Sequence, residues 1–220
     1  AVPMSGMIVN DVEIGSFTDR AFVATGTPPS TQSNMVISKF VATGTGNNCR
    51  VLQCDAAADN TGGWLVSGMV ANNADIKISG TNNELRSSRL AITSSSFAGF
   101  SASAALLEFG GAMGMGGDNT IEDFVLNASG LNTGYLSATR PYAVLVNIDS
   151  ISIKGFKLLV PEGLSNAYPH FEGFGNDFVI DGFEYTGNGF CRQGHLVASV
   201  RWSVKNAVRK GGGACSTSFW

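Results

Sequence analysis

Charge is the scarcest ingredient of this 220-residue chain: only 14% of its residues are Asp, Glu, Lys or Arg, against about 25% in an ordinary soluble domain. Coiled coils and helical bundles need long runs of Glu, Lys, Ala and Leu, so both are excluded. Positive charge is sparse as well. Fourteen Lys and Arg against seventeen Asp and Glu leave a net charge of −3, which offers a nucleic acid no electrostatic footprint. No apolar run approaches the roughly 18–20 residues that cross a bilayer, so no membrane insertion is expected. Four cysteines are too few for a disulfide scaffold. Of the two histidines, neither has a partner at metal-ligand spacing, and no metal or other cofactor is expected.

What is abundant is glycine, 28 of 220 residues, nearly twice the usual share of about 7%. Hydrophobic residues make up 44% and include 14 Phe, so the chain has a core to bury and is not disordered. The combination points to an all-β fold with many turns, in one sizeable domain.

A repeat organises it. Phe-Val-Ala-Thr-Gly-Thr occurs at 22–27 and again at 40–45. More general is an aliphatic residue followed three positions later by Phe: Ile14/Phe17, Ile37/Phe40, Ile121/Phe124, Ile153/Phe156 and Ile180/Phe183, with weaker copies at Val66/Met69, Ile92/Ser95 and Val204/Ala207. Spacings of this size belong to a solenoid. Two residues before each anchor the chain is apolar except at Asn119, and three before it polar or turn-forming types recur, among them Asn34, Gly63, Ser150 and Asp177. Five after it Ala42, Ala71, Leu126, Leu158 and Tyr185 continue the apolar pattern, and a Gly-ended turn follows, as in Thr186-Gly-Asn-Gly189. Inward positions at −2, 0, +3 and +5 describe two short strands joined by a bend. The reading is a single-stranded parallel β-helix of about eight rungs, about 38 Å long at a spacing of about 4.8 Å. An antiparallel sandwich is the alternative.

Ile153-Lys-Gly-Phe156 and Ile180-Asp-Gly-Phe183, each after a polar turn, resemble rungs of right-handed parallel β-helix proteins, the group of pectate-lyase-like enzymes and bacteriophage tailspikes. The resemblance implies a right-handed winding and a rod over residues 1–220, a segment of a longer spike protein. It implies a viral adhesin, on a virion tail or extracellular, that binds bacterial surface polysaccharide, with or without depolymerising it. A homotrimer is the implied assembly. A secreted pectate-lyase-like lyase or hydrolase and a non-catalytic structural spike are the alternatives. The pectinolytic signatures themselves are missing. Gly194-His195 is followed by Leu196, there is no Asp-Asp pair or Arg-Ile-Lys, and no carboxylate cluster suited to calcium is legible.

The frame disposes of several carboxylates. Glu122, Lys154, Asp181 and Lys205 fall in one outward column of alternating sign, as do Lys157 and Glu184, worth about 0–1 kcal/mol per exposed pair. Outside that ladder, the turn-rich segment 161–175 carries Glu162, Tyr168, His170, Phe171, Glu172 and Phe174. Glu162 and Glu172 are the candidate catalytic pair, since glycoside hydrolysis needs two carboxylates about 5–9.5 Å apart. Tyr168 and His170, with Arg192 and His195 of the following loop, are the candidate substrate-binding residues. The competing reading is a solvated loop whose Phe171 and Phe174 plug the rod. Cys191 and Cys215 each lie 11 residues after an anchor, which stacks them as a disulfide or as two buried thiols. Outward Val41, Val70 and Val125 form an apolar column, either a subunit interface or a strand covered by a loop.

Overall fold

The computed structural model describes residues 6–25, 35–55, 63–100, 103–111, 117–165, 169–187, 194–197 and 201–211. The first two turns each begin with a long strand bent across two faces, β1 (Ile8–Phe17) and β3 (Val36–Gly44), followed by β2 (Arg20–Thr25) and β4 (Arg50–Asp55). Later turns have three short strands. They are β5 (Leu65–Ser67), β6 (Val70–Asn72) and β7 (Asp75–Ile78), then β8 (Glu84–Arg86), β9 (Arg89–Ala91) and β10 (Leu107–Gly110). The next two are β11 (Asn119–Glu122), β12 (Val125–Asn127) and β13 (Val144–Asn147), then β14 (Ile151–Lys154), β15 (Lys157–Leu159) and β16 (Phe171–Phe174). The last are β17 (Phe178–Asp181), β18 (Glu184–Thr186) and β19 (Gly194–Val197), with β20 (Trp202–Lys205) and β21 (Val208–Lys210) beyond them.

All these strands pair in parallel. A first face runs from β1 and β3 through β5, β8, β11, β14, β17 and β20; a second from the same long strands through β6, β9, β12, β15, β18 and β21. A third face stacks β2, β4, β7, β10, β13, β16 and β19. The chain is therefore an all-β parallel β-solenoid of about six turns, counting those with a neighbour on both sides. The repeat expected from sequence is present, but each turn has a third strand that the two-strand rung lacked.

The register corrects two anchors. Ile153 pairs with Ile121 and Ile180, and Ile37 with Val66, as the repeat requires. Ile14, however, pairs with Ala42, and Val9 is the partner of Ile37. Leu85, not Ile92, lies between Val66 and Ile121. Phe97 accordingly leaves the inner column and sits in the loop after β9.

The bend between the first two faces has one cause at every level. The residue two after the anchor is left-handed throughout: Asp11, Lys39, Gly68, Ser87, Asp123, Gly155, Gly182 and Asn206 all have φ between 46° and 75°. One such residue resets the pleat, so anchor and +3 both face inward. Non-glycine residues adopt it at a cost of about 1–2 kcal/mol. Asp and Asn tolerate it best, whereas at Gly155 a Cβ would meet Asp123 Oδ1 at 2.6 Å.

Inside, Phe124, Phe156 and Phe183 form a buried ladder with centroids 5.5 and 5.6 Å apart. The one polar break expected at Asn119 is half of a pair. Asn83 and Asn119 are both buried. Asn119 Oδ1 accepts the Asn83 backbone amide at 3.1 Å and Asn83 Oδ1 accepts the Trp64 backbone amide at 3.1 Å, while the Asn83 side-chain nitrogen donates to the Gly80 carbonyl and that of Asn119 to the Ser150 carbonyl of the next turn. Both buried amide groups of the pair are thereby satisfied.

Candidate functional site

The second face is open to solvent and its outward residues follow from the register. One column reads Val41, Val70, Arg89, Val125, Lys157, Glu184, Val208. The expected valine column is thus interrupted: Arg89 separates Val70 from Val125. Two shallow depressions of about 320 and 530 Å³ lie along this face and share Val70, Arg89 and Val125. Asp123 and Ser88 border the first, and Asn72, Asn127, Lys157, Leu159 and Glu184 the second. Together they make one groove parallel to the rod axis, from β6 to β18, about 19 Å at a level spacing of about 4.8 Å. Glu184 holds Lys157 at 3.9 Å and Lys210 at 3.0 Å. Arg89, in the middle of the floor, makes no ion pair among the described residues. Sequence reasoning missed it because the faulty anchor at Ile92 misplaced its turn; with Leu85 as anchor, Arg89 falls on the outward column.

The first face carries the expected charge ladder. Glu122, Lys154, Asp181 and Lys205 occupy successive levels. Arg86 extends the alternation by one level and bridges Glu122 at 2.9 Å. These are outward side chains of the first face, stacked with alternating sign.

The segment 161–175 is partly strand. Glu162 is exposed in the loop after β15, whereas Glu172 lies in β16 and is only 3% exposed. Glu172 pairs in register with Leu145 and His195. Burial, then the charge of Glu172, pushes the neighbouring Tyr142 phenol up. Glu172, expected in a turn-rich loop, is thus a covered strand residue. Phe171 points into the core, and Phe174 packs edge-on against Tyr142 at 6.4 Å. His195 lies in β19, not in a loop; its side chain, Tyr168, Arg192, Cys191 and Cys215 lie outside the described residues.

His170, a candidate substrate-binding residue, is fully buried between turns. Its Nε2 is 3.0 Å from the Ser165 carbonyl and its Nδ1 is 2.9 Å from the Tyr185 hydroxyl. A carbonyl only accepts, so Nε2 carries the proton and Nδ1 accepts from Tyr185. The Tyr185 phenol, pushed up to about 12 by burial, remains that donor. Burial lowers the pKa of His170. Below its ordinary value of about 6.5, the unfolded chain takes up a proton that the folded one refuses. Stability therefore falls as pH drops through that value, by at most about 1.4 kcal/mol per pH unit. Urea midpoints of the wild type and His170→Gln, compared from pH 7 to pH 5, are expected to converge as pH falls; a constant gap would refute the assignment.

On the third face a buried ion pair binds a long loop to the rod. Arg50 Nε donates to Asp75 Oδ1 at 2.6 Å, with side chains 5% and 0% exposed. Arg50 also donates to the Ser103 hydroxyl, which donates to Asp75 Oδ2 at 2.6 Å; the Phe100 amide donates to the same oxygen at 2.8 Å. The Phe100 ring lies 4.5 and 4.6 Å from the guanidinium carbons of Arg20 and Arg50. Burial raises the Asp75 pKa against the lowering pull of Arg50. Each of these groups has its partners within the cluster, so it serves structure. Cys49 and Cys54 are buried free thiols. Among the described residues, no three His, Cys, Asp or Glu side chains converge as metal ligands.

No protein family, curated protein or solved structure matches this chain.

Proposed function

We propose that the protein is a tailspike-like adhesin module that holds bacterial surface polysaccharide along its second face. The observation that supports this reading is the continuity of the groove, in which two depressions joined at Val70, Arg89 and Val125 run with the rod axis. An extended polymer can follow such a track, whereas a compact metabolite would need an enclosed cavity. Asn72, Arg89 and Asn127 offer donors and acceptors to sugar hydroxyls, and Val70, Val125 and Leu159 offer apolar surface to the C–H faces. A few polar groups on apolar lining is the general character of ligand sites.

Binding without cleavage is the favoured form, because Glu172, one of the two candidate carboxylates, is covered. Right-handed winding accords with the strong preference of parallel crossovers. The homotrimer and the virion or extracellular location rest on the resemblance of the rungs alone. Immobilised capsular and O-antigen polysaccharides provide the test. Wild-type protein is expected to bind at least one, and Arg89→Glu to weaken that binding at least tenfold with an unchanged melting temperature. Binding to none would leave a structural spike module, and release of reducing ends or unsaturated products would make the protein an enzyme. Light scattering separates a trimer from a monomer.

A further inference from the structure

We propose that the polysaccharide of the second-face groove, on which reading this inference rests, is acidic and carries carboxylates on alternate sugars, seated at Arg89 and Lys157. The neighbouring cations show what is unusual about Arg89. Arg86, on the first face, is held by Glu84 at 2.8 Å and by Glu122 at 2.9 Å. Lys210, on the second face, is held by Glu184 at 3.0 Å. Arg89 has Val70 on one side of it in the outward column and Val125 on the other, so stacking gives it no counter-charge. It is exposed and lines both depressions of the groove. Asp123 borders the first of them but leans towards the following turn, its Oδ1 2.6 Å from where a Cβ on Gly155 would stand. A guanidinium presents a planar fork of donors that a carboxylate fits with two hydrogen bonds.

The spacing comes from the register. Lys157 stands two levels beyond Arg89 in the same column, with Val125 between them, a distance of about 10 Å at a level spacing of about 4.8 Å. Glu184 is one carboxylate shared by two ammonium groups, and Lys157, at 3.9 Å against 3.0 Å for Lys210, is the more loosely held. The Lys157 side chain is 52% exposed, so it is free to meet a second anion. One pyranose unit lengthens an extended polysaccharide by much the same distance as one level of the rod. When the carboxylate of one sugar meets Arg89, the next sugar therefore rests its C–H face on Val125, and the one after brings its carboxylate to Lys157. A carboxylate on the middle sugar would be set against Val125 without a partner, which is costly.

Asn127, beside Val125 in the same groove, supplies a second and independent observation. Its Oδ1 accepts from the Ser129 amide at 3.2 Å and from the Ser129 hydroxyl at 2.7 Å. Among the described residues its side-chain nitrogen donates to nothing, so Asn127 offers the groove a donor while its acceptor is taken. A donor next to two cations suits an anion. The net charge of −3 does not oppose this, because exposed charges more than about 8 Å apart are largely screened at physiological ionic strength.

Each capsular or O-antigen polysaccharide that the full 220-residue chain retains is compared with its carboxyl-reduced form, in which carbodiimide and borohydride convert every carboxylate to a primary alcohol and leave the linkages intact. The retained polymers are expected to be acidic, and reduction to weaken their binding at least tenfold. Arg89→Gln and Lys157→Gln are each expected to narrow the difference between native and reduced polymer at least threefold, with an unchanged melting temperature. Lys154→Gln, which removes an exposed charge from the first face, is expected to leave that difference as it is. Retention of neutral polysaccharides alone, or equal binding of native and reduced forms, would overturn the proposal and leave the groove as a track for neutral chains. An equal effect of Lys154→Gln would overturn it by showing attraction without a site, and a tenfold preference for polygalacturonate, charged on every sugar, over hyaluronan, charged on every second one, would overturn the seating on alternate sugars. Retention of no polysaccharide, acidic or neutral, would overturn the reading of the groove itself and this proposal with it.

Discussion

Replacing Asp75 by alanine is expected to destabilise the protein by about 3–5 kcal/mol, the loss typical of a buried ion pair stripped of one partner. The attraction in the pair is not the main reason. Arg50 would stay where it is, 5% exposed, its charge left to the hydroxyl of Ser103, the Phe100 ring and, at 3.4 Å, the Gln53 amide oxygen. The Phe100 amide and the Ser103 hydroxyl would lose their acceptor as well. At roughly 2–4 °C per kcal/mol for a chain of this size, the melting temperature should fall by about 10 °C. A double variant, Arg50→Met with Asp75→Leu, is expected to regain much of the loss, because apolar replacement removes both desolvation penalties. Hydrogen exchange adds a local readout: the Phe100 amide should lose protection before the strands do. An Asp75→Ala protein as stable as wild type would mean that water reaches Arg50 and that the loop is not held as described.

The same cluster shows why the sequence disclosed one part of this fold and hid another. On the first two faces, four inward positions recur at constant offsets because a single left-handed residue joins the two strands. Ile153-Lys-Gly-Phe156 and Ile180-Asp-Gly-Phe183 therefore align by eye, and the structure pairs them residue for residue. The third strand has no constant offset. Between the second and third faces the connection ranges from two residues (73–74) to sixteen (128–143), so Leu52, Ile76, Leu107, Val144 and Phe171 form an inner column that no fixed frame can find. The alternation in Ile76-Lys-Ile78 and Leu107-Glu-Phe109 was its only local trace. The connection between Leu85 and Ile121 is long for the same reason, and a frame seeking even spacing settled on Ile92. That displacement hid Arg89 at the centre of the groove and Asn83 beside Asn119. The segment around His170 was hard to read for a different reason. His170, Phe171 and Glu172 look like a polar, aromatic loop, yet the first two fill the interior and the third is covered on the outer side of a strand. Composition cannot separate a binding loop from a strand whose outer face is covered by neighbouring loops.

The aromatic ladder supplies the other large effect. Phe156→Ala is expected to cost about 3–5 kcal/mol, at the upper end for buried aromatics. Phe156 is fully buried, with Phe124 on the turn before it at 5.5 Å and Phe183 on the turn after it at 5.6 Å. Phe171 meets its edge from the third face at 6.2 Å. Collapse into the vacated space would require strands hydrogen-bonded on both sides to approach one another, which the fixed separation of about 4.8 Å forbids. The cavity therefore persists, and residual cavity volume is what raises the cost of such substitutions. Phe40 occupies the same column near the first turn and is also buried. Its neighbours in register there are Val12 on one side and, one turn on, Met69. Methionine is flexible enough to enter a gap. Phe40→Ala should thus cost less than Phe156→Ala, although both delete the same atoms. Equal losses in urea denaturation would mean that the solenoid relaxes alike along its length and that the regular stacking of its turns does not hold cavities open.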